Sequence, residues 1–383
     1  MALTKTKVGV ITFLDTRNNY GQVLQAFALQ YILKQWGYDA FVIDYEKIKG
    51  KNKCKKFILS LIEYLGFSKV YWSFRDRNLW QKDTKRKFDD FKKKYISCTE
   101  KKYRTLYQLQ KNPPDAQYYI TGSDQVWAQL ISDQDNRAYF LDFGNDDIQR
   151  ISYAPSFVMS EYPSELLSQL GCLLKRFDHI SVRENCGIEI CNVVGCMGVK
   201  KVADPTLLLT GDVYKRLFLR KKIISSYIFI YCLNIVDKEE MEWSAINAYA
   251  KNKHLNIIVT PSSGVYPAKE LFEGVSYSYC TVEGWISNIT YSSLVVTTSF
   301  HGIVFSLLLN RNFVYVPLKN AFKRANDRVY ELLEILDLKD KIVTNSKTFN
   351  RAVLAKIDWC IVNEKLEKYR ETSLSFLKES LNK

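Results

Sequence analysis

Short apolar, β-branched runs alternate along this chain with stretches of helical periodicity, and that alternation limits the fold more than any other feature. Residues 7–13 (KVGVITF) have the character of a first strand. A polar loop, 14–20, leads into a helical stretch from about Gly21 to Trp36, with Val23, Leu24, Phe27, Ala28, Tyr31 and Ile32 on its apolar face. Gly37 stops that helix and residues 38–44 form a second strand, which completes a βαβ opening. The pattern continues with a strand at 117–121, apolar runs at 138–143 and 150–154, a helix near 164–177 and a strand at 180–182. It restarts beyond 210–225, with strands at 226–233, 255–260, 293–297 and 312–316 and helices near 238–251, 283–289, 302–309 and 328–336. Strands alternating with helices predict parallel sheets with crossover connections.

A length of 383 residues is too great for one ordinary core and suits two. The expected organisation is an α/β protein of two Rossmann-like domains facing a cleft: residues 1–215, with a basic helical insertion at 47–112, then 216–345, then C-terminal helices at 346–383. Hydrophobic residues at 47% and charged residues at 25% exclude a disordered chain. No apolar run approaches the roughly 18 residues that a membrane span needs. The start (MALTK) goes directly into a strand, with no room for a signal peptide, so a cytoplasmic location is expected. Nine cysteines scattered through apolar segments read as reduced, buried thiols. Cys186, Cys191 and Cys196 recur at a spacing wider than zinc sites use, so no metal is expected.

The net charge of +14 is concentrated in Lys47–Lys56 and in a second run from Lys82 to Arg104. The ordinary reading is a solvated helix face. The functional reading is attraction to an anionic partner, such as a membrane surface or a phosphorylated lipid carrier. Nucleic acid is not expected, because no zinc-finger or RNP-type signature accompanies the charge.

Polar clusters follow successive strands. The most specific is LVVTTSFHGIVFSLLL at 294–309, where Thr297, Thr298 and Ser299 lead into a helix that starts with Phe300, His301 and Gly302. Free N–H groups at that helix start favour an anion. Thr298 and Ser299 can cap it, Gly302 permits close approach, and His301, one of three histidines, stands where a proton donor would meet the anion. The bland alternative is a structural histidine in a cap. Asp15, Asn18, Asn19 and Gly21 fall in the first βα loop, which has too few glycines for a dinucleotide loop and suits a hydroxyl-rich ligand. Ser123, Asp124, Gln125 and Trp127 combine hydrogen-bond partners with an aromatic face, as sugars require; the alternative is an N-cap and a core tryptophan. Arg183, directly behind a strand, is a natural carboxylate or phosphate clamp, though Glu184 can simply pair with it. Asp204-Pro205-Thr206 reads mainly as a turn, with a functional role left open for Asp204. Polar clusters at several strand ends argue for one ligand cleft.

In this order, NYGQVLQAFALQ (19–30), YITGSDQVW (119–127), ISYAPSF (151–157), ISVRE (180–184), VADPTLLL (202–209) and TTSFHGIVFSLLLNRNFVYVP (297–317) resemble the polysaccharide pyruvyl transferase family, over roughly residues 8–340. The resemblance implies a glycosyltransferase-B-like fold and transfer of a pyruvyl unit from phosphoenolpyruvate to a sugar, on a lipid-linked or nucleotide-linked precursor, to give a pyruvate ketal. Phosphoenolpyruvate is then a substrate and no cofactor is needed. The family histidine maps onto His301. Many members carry an arginine two residues earlier, where this chain has Ser299, which leaves Arg183, with Lys319 or Lys323, to supply the cation. Asp124 or Asp15 would orient or deprotonate the acceptor hydroxyl. The basic insertion would give peripheral contact with an anionic membrane. The alternatives are a glycosyltransferase of the same fold using a nucleotide sugar, and a catalytically silent anion- or glycan-binding protein.

Overall fold

The computed structural model describes residues 5–14, 19–47, 84–219, 226–261 and 270–382. The expected alternation is realised as two separate, wholly parallel sheets. The first runs β2-β1-β3-β4-β5-β6, built from β1 (Lys7–Ile11), β2 (Asp39–Val42), β3 (Tyr118–Thr121), β4 (Gln149–Ser152), β5 (His179–Val182) and β6 (Lys200–Lys201). The second runs β11-β10-β7-β8-β9, from β7 (Tyr227–Cys232), β8 (Asn256–Pro261), β9 (Ser276–Tyr277), β10 (Leu294–Thr297) and β11 (Phe313–Tyr315). Every residue of β3, β7 and β10 is buried, because crossover helices cover both faces of a parallel sheet. This is an α/β architecture of two parallel, Rossmann-like sheets.

Strand order positions the site. In the first sheet the chain builds outward from β1 to β2, then reverses to place β3 on the other side of β1. The second sheet reverses in the same way about β7, with β8 on one side and β10 on the other. Each reversal opens a crevice at the carboxyl ends of its two inner strands, where such sheets bind ligands.

Five helices connect these crevices. The first, α1 (Tyr20–Gln35), follows β1 and is capped by Asn19, whose side chain accepts from the Gly21 and Gln22 N–H groups. Further along the chain come α2 (Gly211–Phe218), α3 (Phe300–Leu308), α4 (Asp327–Ile335) and α5 (Trp359–Leu381). One apolar cluster contains Tyr20, Val23 and Phe27 of α1 together with Trp285, Ile303 and Phe305 of the second domain, so the domains share core across their junction. Tyr20 stacks on Trp285 with ring centroids 5.2 Å apart. The last helix, α5, returns to the first domain. Leu377 and Leu381 join the cluster of Val8, Val10 and Leu29, and the Ser373 hydroxyl accepts the Ala203 N–H at 2.9 Å.

Three differences from the sequence reading have local causes. Residues 138–143 join neither sheet; Ala138, Tyr139 and Phe140 end a buried 3-10 helix, Gln134–Phe140, whose Tyr139 carbonyl accepts from the Thr121 hydroxyl and the Trp127 indole. The two-residue edge strand β9 is too short to show periodicity. Of the basic insertion, residues 84–112 contain helices Phe88–Tyr95 and Leu106–Lys111, as their pattern implies, while 48–83 lie outside the described residues.

The seam between α2 and α3 leaves no room for a side chain. A Cβ on Gly211 would lie 1.8 Å from the Leu308 carbonyl oxygen. Gly211→Ala should therefore push the helices apart and destabilise the protein by about 1–3 kcal/mol, the usual cost of overpacking. A thermal melt measures this, and a variant melting with the wild type would show that the seam yields freely.

Candidate active site

The site is assembled around one carboxylate. Asp204, 1% exposed, follows β6 and caps the 3-10 turn Pro205–Leu208. Its Oδ1 accepts from the Thr206 N–H at 3.0 Å and the Thr206 hydroxyl at 2.7 Å. Its Oδ2 accepts from the Ser123 hydroxyl at 3.0 Å and from Arg183 Nη1 at 2.9 Å. The same oxygen lies 3.6 Å from His301 Nε2. Burial alone would push this carboxyl up; His301, Arg183 and the Thr206 hydroxyl outweigh it and hold the group well below the usual carboxylate range. Asp204 is thus an ionised group at which both domains meet.

His301, 6% exposed, occupies the first turn of α3. The strand-to-helix turn before it is made by hydroxyls. Thr297 donates to the Tyr231 carbonyl at 2.6 Å and accepts the Ser299 N–H at 3.0 Å. Thr298 accepts the Leu233 N–H at 2.8 Å, and Ser299 caps α3 by accepting the Gly302 N–H at 3.3 Å. Gly302 is packed on Thr297: a Cβ there would meet Thr297 Oγ1 at 2.3 Å. On its other side the imidazole lies against the first domain, since a Cβ on Gly21 would fall 2.0 Å from His301 Nδ1. Only glycine at the start of α1 admits the ring.

Arg183, 4% exposed, comes from the end of β5 and lies over the Phe300 ring, its guanidinium carbon 5.2 Å from the centroid. Glu184 reaches Arg183 Nε only at 3.7 Å; its Oε1 instead accepts the Phe157 and Val158 N–H groups. A second arginine, Arg328 in the first turn of α4, lies 5.3 Å from the same Phe300 centroid. Among the described residues, Arg183 Nε and Nη2, Arg328 Nε and Nη1, His301 Nε2, Asp124 Oδ2 and Glu184 Oε2 are all buried without a hydrogen-bond partner. Buried polar groups are ordinarily paired, so their concentration makes this the candidate ligand site. A small pocket of about 20 Å³, partly open to solvent, adjoins them, with Arg183, Asp204, Phe300 and Arg328 in its wall.

Asp124 has φ 78° and ψ −169°, a conformation that glycine alone adopts readily. Its carbonyl accepts the Ser156 N–H at 2.8 Å and holds it there.

The residues singled out from sequence thus divide. His301, Arg183, Ser123, Asp124 and Gly21 come together around Asp204 or against its partners. Asn19 caps α1, Thr298 and Ser299 spend their hydroxyls on the turn, and Gly302 seats α3 on β10. Gln125 is half-buried at the start of the 3-10 helix Gln125–Ala128. Trp127 is fully buried, stacked on Phe140 and donating to the Tyr139 carbonyl, so it offers no face to a ligand here. Asp15 and Asn18 lie outside the described residues. Lys319 and Lys323 are exposed, and the second cation beside Arg183 is Arg328, which sequence reading missed. In sequence, Arg328 is one of 55 basic residues and starts an ordinary amphipathic helix, so no local signal marks it.

The sequence matches the family described as polysaccharide pyruvyl transferase over residues 19–320, more than half of the chain. The protein belongs to this family. No curated protein matches the sequence. Among solved structures, similar folds include a UDP-N-acetylglucosamine 2-epimerase from Rickettsia bellii (9% identity, 98% of this chain and 97% of that one, TM-score 0.49). A putative enzyme of that name from Listeria monocytogenes has 9% identity, 96% and 91% coverage and a TM-score of 0.48. The Methanocaldococcus jannaschii UDP-GlcNAc 2-epimerase, in complex with UDP-GlcNAc and UDP, has 10% identity, 97% and 100% coverage and a TM-score of 0.47. Within this family member, the motif segments 119–127, 180–184, 202–209 and 297–317 bring Asp124, Arg183, Asp204 and His301 into one place.

Two stability measurements probe the site. Asp204→Asn removes the charge that Arg183 and His301 face, and breaking a buried pair of this kind costs about 3–5 kcal/mol. Because the folded carboxyl is depressed, its contribution is complete above the unfolded value of about 3.9 and is lost as pH falls from there toward the folded value. Denaturation at several pH values should show the gap between wild type and variant narrowing below about pH 4; a gap independent of pH would mean that ionisation is not its source. At position 124 both glycine and alanine remove the carboxylate, so their difference reports backbone strain. Asp124→Gly should be more stable than Asp124→Ala by about 1 kcal/mol or more, and equal melting curves would refute the strain.

Proposed function

We propose that this protein transfers the pyruvyl unit of phosphoenolpyruvate to a sugar of a cell-surface polysaccharide precursor, forming a pyruvate ketal. One observation carries the reading: a buried arginine with unbonded N–H groups and a histidine with an unbonded Nε2 share one carboxylate at the junction of the domains. A small, highly charged donor needs a guanidinium for its carboxylate or phosphate and a proton donor near its methylene carbon, not a nucleotide pocket. Family membership supports a transferase of this kind.

In the proposed reaction Arg183 clamps the donor and His301 serves as general acid. A proton moves from His301 to the methylene carbon, which becomes the methyl group, and positive charge develops at the adjacent carbon. A sugar hydroxyl attacks that carbon as Asp124 takes its proton, and passage of that proton from Asp124 to His301 restores both groups to their starting state. The bond to the phosphate oxygen then breaks. A second hydroxyl closes the ketal, and its proton leaves with the phosphate. Asp204 contributes indirectly, by holding Arg183 and His301 in register.

The test is phosphate release from phosphoenolpyruvate against a panel of sugar acceptors. His301→Ala should lower the rate by about 10²–10⁴-fold, the usual worth of a positioned proton donor. Wild-type rates in that variant would remove His301 from the mechanism. If no acceptor elicits phosphate release while nucleotide sugars stabilise the protein, the donor is a nucleotide sugar instead.

A further inference from the structure

Arg328 has no role in the scheme above, and it lies beyond residue 320, where the family match ends. The residue is half-buried, yet its Nε and Nη1 are enclosed and have no hydrogen-bond partner among the described residues. Nor does it form an ion pair there, whereas Arg183 pairs with Asp204 at 2.9 Å. Both guanidinium carbons lie over the Phe300 ring, at 5.2 and 5.3 Å, and both residues line the same pocket. Two surrounding carboxylates, Asp124 and Glu184, favour its charge without hydrogen bonding to it, and the others are committed. Asp204 serves Arg183, Ser123 and Thr206; Glu184 accepts two backbone N–H groups; and Glu331, one turn further along α4, is neutralised by Lys201 at 3.1 Å. Burial and the neighbouring Arg183 together push Arg328 down to about 10, the direction expected of two cations crowded in a poorly solvated place.

Two guanidiniums on the wall of one pocket, with four enclosed, unbonded nitrogens in all, are unfavourably placed until an anion joins them. We propose that Arg183 and Arg328 form a two-guanidinium seat for a phosphate or carboxylate group, and that this seat receives the phosphoenolpyruvate donor; the second part rests on the function proposed above. The geometry makes Arg328, supplied from α4, the cation that the helix-start position held by Ser299 lacks. Planar guanidiniums bind tetrahedral and planar anions through paired N–H groups, which an ammonium cannot reproduce. The seat also gives Arg328 the hydrogen-bonded partner it lacks: Asp124 and Glu184 offset its repulsion from Arg183 in part, and a bound anion would complete that relief.

The test is thermal denaturation of the full chain with graded phosphoenolpyruvate, inorganic phosphate or pyruvate, at constant ionic strength set with chloride, for wild type, Arg328→Met and Arg328→Lys. Wild type should be stabilised by phosphoenolpyruvate and, at higher concentrations, by phosphate, with pyruvate reporting the carboxylate alone. Without ligand, Arg328→Met should melt at or above the wild-type temperature because the repulsion is gone. It should need about tenfold to a hundredfold more phosphoenolpyruvate for the same shift, the worth of a charged hydrogen bond. Arg328→Lys should fall between the two. Wild-type anion affinity in Arg328→Met would overturn the seat and leave the donor reading standing. Stabilisation of wild type by phosphate but not by phosphoenolpyruvate would leave the seat and overturn the donor, and stabilisation by no anion would overturn both. An Arg328→Met variant that melts well below wild type without ligand would show Arg328 to be a structural counter-ion of Asp124 and Glu184. If that variant does not fold, Arg328→Lys decides, and wild-type affinity for phosphoenolpyruvate in it overturns the proposal.

Discussion

A carboxylate with almost no exposure is stable only if charge and hydrogen bonds replace the water it has lost, and Asp204 imposes that condition on everything around it. Ser123 comes from the end of β3, Arg183 from the end of β5, Thr206 from the turn after β6, and His301 from the helix after β10. Each reaches Asp204 because its strand ends at the same edge of a parallel sheet. The chemistry of the site therefore depends on the register of two sheets, and its ionisation on a balance that a single lost partner would upset.

The docking of the domains depends on equally short distances. Gly21 at the start of α1 and His301 at the start of α3 are in direct contact, so the helix that opens the first domain is also one wall of the histidine's environment. Next to it, Tyr20 stacks on Trp285 and its hydroxyl donates to the Cys280 carbonyl at 2.6 Å. The fully buried Arg86 donates to that hydroxyl at 3.1 Å. These contacts make the junction a packed core rather than an open hinge, and they keep the groups around Asp204 out of bulk water, which would weaken the charge–charge forces among them. The strained backbone of Asp124 and the unbonded nitrogens of Arg183 and Arg328 persist inside this frame because the surrounding contacts over-determine it.

Much of this was legible from the chain. The βαβ alternation announces two parallel sheets because buried strands and amphipathic helices have distinct periods, and the polar residues after each strand mark the carboxyl edge where ligands bind. His301, Arg183 and Ser123 stood out because a histidine, an arginine or a serine directly behind a buried strand is chemically conspicuous. Asp204 was harder: Asp-Pro-Thr reads as a turn, and it is one, with Asp204 as its cap. That the same carboxylate also holds an arginine and faces a histidine has no local signature. Trp127 was legible as an aromatic beside polar groups, but whether such a ring faces a ligand or the core depends on what lies above it, and here Phe140 and Phe157 do.

The sequence by itself determined the class of fold, the edge at which the site lies and the family to which the chain belongs, since periodicity and ordered motifs are properties of neighbouring residues. Tertiary structure alone decided which of the polar groups share a partner. Ser123 and Asp204 are 81 residues apart and touch, whereas Thr298 and Ser299, next to His301 in sequence, are consumed by the turn that presents it. It also decided that the second cation is Arg328 rather than Lys319 or Lys323. The physical reason is the same in each case: whether a charged or polar side chain is free for a ligand depends on the hydrogen bonds and burial it acquires from distant segments, and those exist only once the two sheets have been brought together.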